Sequence, residues 1–134
     1  MDAAYRAGER RLLQAAVALA CLVPLAMGAA GVARGPDVLH GVAATPADLD
    51  SHFRYLSGLL FGIGLAFAWC IPAIERRGTL FRLLGLIVVA GGLARLASLA
   101  AVGLPGIGHV FGIVMELGIV PMLMLWQGRV ARAA

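Results

Sequence analysis

Arg95 and Glu116 interrupt two successive apolar runs in a chain of 134 residues. A guanidinium and a carboxylate are the two halves of an ion pair, and the carboxylate is also a candidate acid or base. A lone charge inside a lipid bilayer costs at least ~2.5–3.5 kcal/mol, so each of them calls for a partner. Arg95 lies eight residues before Gly103, and Glu116 nine residues after Ile107. At the helical rise those spacings put them about 12 Å and about 14 Å from the same end of their helices. The turn Gly103-Leu104-Pro105-Gly106 makes the two helices antiparallel. The charges then share a depth, and the expectation is an Arg95–Glu116 salt bridge buried in the bundle interior.

His109, Gly112 and Glu116 fall on one side of the same helix. His52, Arg54 and Tyr55 stand at the start of an earlier apolar run, on the same side of the membrane. Together the six residues Arg95, Glu116, Arg54, His52, Tyr55 and His109 describe a polar cluster opening outward. Its chemistry suits a polar head on an apolar body, such as a lipid, a quinone or a sterol-like compound. Asp48, one turn before His52, is placed to hold that imidazole. The three histidines, His40, His52 and His109, match no ligand spacing, and we expect no metal site. Paired with Arg95, Glu116 makes a poor general base, because accepting a proton means giving up the pair. That argues against an enzyme or a proton-coupled transporter. No second acid stands inside the bundle to share such work.

These side chains need elements to hold them, and the composition says which. The chain is 61% hydrophobic and 13% charged, with mean hydropathy +0.92. Globular soluble domains sit near ~45–50% and ~25%, so the class is integral membrane, all-α. Four apolar runs of membrane-spanning length give helices over about 12–33, 46–74, 79–102 and 107–127, as one four-helix domain over 1–134. The first is long for the apolar core of a secretion signal and reads as a transmembrane helix. Thr45-Pro46-Ala47-Asp48 is a helix start with Thr45 as N-cap, and Pro72 loosens the last turn of the second helix. Pro121 leaves the carbonyl of Leu117 without its helical donor, one residue from Glu116. Gly58 with Gly62, and Gly108 with Gly112, form small-xxx-small pairs for close helix packing.

All eleven basic residues other than histidine are arginines, spread along the chain without a basic stripe, which excludes nucleic-acid binding. One side of the membrane collects Arg6, Arg10, Arg11, Arg76, Arg77, Arg82, Arg129 and Arg132, and the other has Arg34 and Arg54. The positive-inside rule then puts both termini in the cytoplasm, up-down-up-down. Cys21 and Cys70 sit at different depths in different helices and read as free thiols. Gly62-Ile63-Gly64 lies within an apolar helix with no strand before it, so it is no dinucleotide fingerprint, and no cofactor is named by any motif.

Three stretches are similar to a known family. Ser51-His52-Phe53-Arg54-Tyr55, Gly91-Gly92-Leu93-Ala94-Arg95-Leu96, and Met115-Glu116-Leu117 closing on Trp126-Gln127 resemble small bacterial membrane proteins grouped as domain of unknown function four-three-four-five. The architecture is more loosely similar to DoxX-type four-helix proteins. The resemblance implies a bacterial cytoplasmic membrane protein and marks Arg54, Arg95 and Glu116 as positions to test. It implies no activity or cofactor. Expected partners are membrane lipids, a small amphipathic ligand, or a membrane protein partner or second copy. The leading expectation is a protein that binds an amphipathic molecule near Arg95–Glu116. Its rival is an accessory or assembly subunit of a larger membrane complex.

Overall fold

A computed structural model describes residues 3–39 and 44–133. Helix α1 runs Ala3–Arg34 and is followed by a 3-10 turn, Gly35–Val38. Helix α2 runs Ala47–Cys70 and ends in a 3-10 turn, Ile71–Ala73, and α3 runs Gly78–Val102. The last span comprises α4 (Ile107–Val114), a π-helical turn (Met115–Ile119) and α5 (Val120–Ala133). Four helical stretches are long and apolar enough to cross a membrane: Ala4–Val38, Ala47–Ala73, Gly78–Val102 and Ile107–Ala133. This is the all-α, four-helix membrane class read from the sequence.

Surface chemistry agrees with that class. Ile107 is 85% exposed, Leu104 82% and Leu125 77%. A water-soluble protein rarely presents so continuous an apolar surface, whereas lipid tails solvate it without cost.

The boundaries differ from expectation at both ends of the chain. Helix α1 begins nine residues before Leu12, and α5 continues six residues past Gln127. The added turns of α1 are not greasy, but they keep a buried stripe at four-residue spacing through Glu9, Leu13, Val17 and Cys21. That stripe is what extends the helix, since packing of one face outweighs propensity. Helix α2 starts one residue later than expected, with Pro46 rather than Thr45 at the cap, and the amide of Asp50 donates to Pro46 O at 3.0 Å. Pro72 falls in the 3-10 turn that closes α2, as its missing N–H requires.

The chain forms two compact units. In the unit Ala15–Ile71, α1 and α2 run antiparallel at close range. A Cβ built on Gly28 would stand 2.7 Å from the backbone nitrogen of Phe61, and one on Gly64 would stand 3.3 Å from Cβ of Pro24. Cys21 and Cys70 belong to this unit, and both are buried and outside any disulfide. In the unit Met1–Gln14 with Pro72–Ala134, α3 and the last span are also antiparallel. Their contact runs from Gly78 against Gln127, through Gly85 against Met124, to Gly92 against Leu117. The core of this unit is Leu13, Ile74, Phe81, Leu84, Leu123 and Val130.

Close approach therefore uses other glycines than the pairs singled out by spacing. Gly62 and Gly108 have open space where a side chain would go. We expect Gly28→Ala to lower thermal stability in detergent by about 1–3 kcal/mol, because a rigid backbone stands in its way. Gly62→Ala, which meets nothing, should be neutral or stabilising by about 0.5–1 kcal/mol through helix propensity. Equal melting temperatures for the two variants would contradict this packing.

Candidate functional site

Arg95 and Glu116 meet. Nε of Arg95 donates to Oε1 of Glu116 at 3.1 Å and lies 3.0 Å from Oε2, off the line of a second hydrogen bond. Nη1 of Arg95 stands 2.9 Å from Nδ1 of His109. One guanidinium thus ties α3 to both the start of α4 and the π turn. Oε2 of Glu116 is enclosed and receives no hydrogen bond, and Nη2 of Arg95 has no partner among the described residues.

The expected burial of this pair is corrected by the structure. The side chain of Arg95 is 38% accessible and that of Glu116 17%, so the pair lies at the margin of the helix contact and not in the interior. The reason is helical phase. Gly92 is the buried point where α3 touches Leu117 and the Cβ of Glu116. Arg95, three residues on, is rotated about 60° away from that point and reaches back along the surface beside Gly112.

The π turn is the second departure from expectation. The sequence predicts an unbroken α-helix through Glu116, yet the amide of Val120 donates to the carbonyl of Met115, five residues back. Pro121 explains it. Its ring cannot donate to Leu117 and crowds that carbonyl in α geometry, and widening the preceding turn moves the carbonyl aside. The widened turn carries Glu116, whose carboxylate meets Arg95.

His52, Arg54 and Tyr55 belong to the other unit and do other things there. Arg54 donates through Nε to Asp50 Oδ2 at 2.8 Å, and through Nη1 to the carbonyls of Val32 at 2.5 Å and Ala33 at 3.2 Å. It therefore caps the C-terminus of α1, where free carbonyls and the helix dipole attract a cation. Gly35 makes this possible: its φ is +61°, and a Cβ there would stand 2.5 Å from Asp50 Oδ1 and 2.9 Å from Arg54 Nη2. His52 and Tyr55 are exposed on α2, and no hydrogen bond or ion pair joins Asp48 to His52 among the described residues. His40 lies outside the described residues.

Sequence reasoning missed a second polar cluster. Glu9 is 91% buried, accepts from Nε of Arg129 at 2.8 Å and from the indole of Trp126 at 3.3 Å, and is also paired with Nη2 of Arg129. Gln127, fully enclosed, donates to Ile74 O at 2.8 Å, and Arg10 pairs with Glu75 at 3.5 Å. The available signal was Glu9 as the only acid between Asp2 and Asp37, set among Arg6, Arg10 and Arg11. An acid in a cluster of arginines on an amphipathic helix is placed for pairing.

Over residues 12–127 the sequence matches the family described as Domain of unknown function (DUF4345). The chain belongs to that family. No curated protein and no solved structure matches it. The match covers all six residues of the expected cluster and ends at Gln127, whereas Glu9 and Arg129 lie outside it.

Removing either half of the α3–α4 pair should leave a lone charge near lipid. Arg95→Leu or Glu116→Leu alone is expected to lower stability in nanodiscs by about 2 kcal/mol, below the full cost of a lone charge at the bilayer centre. The double variant should lose less than the sum. Strict additivity in that double-mutant cycle would show that the two residues do not interact.

Proposed function

We propose that Arg95, His109 and Glu116 form the head-group site of a membrane protein that binds an amphipathic small molecule, whose apolar body lies along the helices in lipid. The observation that carries this reading is the half-exposed ion pair with a spare guanidinium N–H group. Charge at the margin of a membrane-length helix is costly unless something polar meets it. Nη2 of Arg95 is free to donate to a carbonyl, hydroxyl, carboxylate or phosphate oxygen, and His109 beside it adds a ring nitrogen of either sign. The π turn supports the same reading, since such turns recur where a helix carries function.

The test is native mass spectrometry of the tagged protein extracted from its own membranes. A stoichiometric small molecule in the wild type that is lost on Arg95→Leu and on Glu116→Gln supports the site. Retention of the molecule in both variants overturns it.

A second reading, an accessory or assembly subunit of a larger membrane complex, draws on a separate observation. Gly62, Gly91, Gly108 and Gly118 have open space around them although glycine is a poor helix former. Small residues with no neighbour in their own chain suit close approach by a helix of another. Cysteine substitution at Gly91 or Gly108 followed by cross-linking in native membranes should then yield a defined adduct, and only monomer if lipid covers the face.

The arginine bias supports residence in a bacterial cytoplasmic membrane with both termini inside. Reporter fusions at each terminus check this: both should be active as cytoplasmic reporters, and one exported terminus would break the up-down-up-down topology.

A further inference from the structure

About 20 Å along the last span from Glu116, the termini of the unit Met1–Gln14 with Pro72–Ala134 build something that the head-group site does not use. The first turns of α1 lie antiparallel to the last turns of α5. Arg6 Nη1 donates to Ala133 O at 2.9 Å, and both Trp126 and Arg129 donate to Glu9. Beside this seam runs a groove of about 690 Å³. Its apolar walls are Tyr5 and Leu12 from α1 and Met122, Leu125 and Trp126 from α5, and Gly8 opens its floor. The volume lies within the range of small-molecule sites, about 300–1,000 Å³.

The groove is amphipathic along its length. Leu12, Met122 and Leu125 line its deeper end, toward the middle of the helices, and all are more than half exposed. Arg129 lines the other end and remains 65% accessible although paired with Glu9. Arg132, one turn further on the same face of α5, is exposed, as are Arg6 and Arg11 on α1. Five arginines thus stand on these two helix ends, counting Arg10. Glu9 pairs with Arg129 and Glu75 with Arg10, which leaves Arg6, Arg11 and Arg132 without an ion-pair partner among the described residues. A second copy of the chain would bring a like set of charges into contact, which disfavours that occupant. A zwitterionic lipid would gain little from the surplus cations. An anionic phosphate joined to an acyl chain fits both ends.

We propose that this groove seats one anionic phospholipid, with its phosphate at Arg129 and Arg132 and an acyl chain along Leu12, Met122 and Leu125. Trp126, at the boundary of the two halves, holds the glycerol region, where an amphipathic ring belongs. The Glu9–Arg129 pair fixes the guanidinium at the mouth and leaves Arg132 to supply the unspent charge.

Trp126 also reports on the site. The chain has two tryptophans, so Trp69→Phe leaves Trp126 alone. The full chain with that substitution is reconstituted into phosphatidylcholine vesicles containing equal mole fractions of acyl-brominated phosphatidylglycerol or acyl-brominated phosphatidylcholine. The expected result is stronger quenching by the anionic lipid, with an enrichment of roughly fivefold per free arginine in contact. Arg132→Gln should remove about that factor. Gly8→Leu should abolish the selectivity, because it fills the groove from a position where a Cβ meets no atom of the chain. The same open space keeps this variant foldable, and unchanged helical circular dichroism and melting confirm it. Equal quenching by the two lipids overturns the proposal, as does selectivity that survives Gly8→Leu. Absence of quenching by either lipid also overturns it and assigns the groove to a protein occupant.

Discussion

A backbone that crosses lipid has no water to satisfy its amides and carbonyls, so each must be bonded within its own helix or to another part of the protein. In this chain that constraint is most visible where it is nearly broken. Pro72 costs α2 an amide donor, and the chain answers with a tighter 3-10 turn. Pro121 costs the last span another, and the chain answers with a wider π turn. The end of α1 exposes carbonyls, and Arg54 arrives from α2 to bond two of them. In each case the repair sets the geometry nearby. The second matters most for the proposed head-group site, because the widened turn is the one that carries Glu116.

Charge obeys the same rule as backbone. Arg95 is spread over a carboxylate and an imidazole at one end of its unit, and Glu9 is spread over a guanidinium and an indole at the other. The two clusters are built in the same sense. Around Glu9 the buried group is the acid and the exposed one the arginine, so the cluster offers positive charge to whatever lies outside. Around Glu116 the carboxylate is again the more enclosed partner and Arg95 the more exposed one. At both sites a more enclosed acid holds a more exposed arginine. Orientation of this kind reduces the entropy a binding partner must overcome, since the side chain is held before the partner arrives.

Glycine divides into two populations with different work. At Gly28, Gly64 and Gly92 the opposing helix stands where a side chain would be, and these positions set the interhelical distance. At Gly62, Gly91, Gly108 and Gly118 nothing stands there. Only the first group can be explained by the chain's own packing. Spacing in the sequence does not separate the two, because a small-xxx-small pair reads alike whether it faces a neighbour in the same chain or lipid.

The sequence by itself determined the class: four apolar runs of bilayer length leave few other folds that satisfy the backbone. It also determined that Arg95 and Glu116 would meet, since a short turn between antiparallel helices fixes their depth, and depth is one-dimensional arithmetic. Rotation about the helix axis is different, because it depends on which face packs. Only the tertiary structure decided that Gly92 is the point of contact, which moves the ion pair to the margin. Only it decided that Arg54 caps α1, and that the polar turns of α1 run on to gather Glu9, Trp126 and Arg129. Hydropathy marks where a chain enters lipid, but a buried acid outside the apolar run is found only once its partner from the far end of the chain is in place.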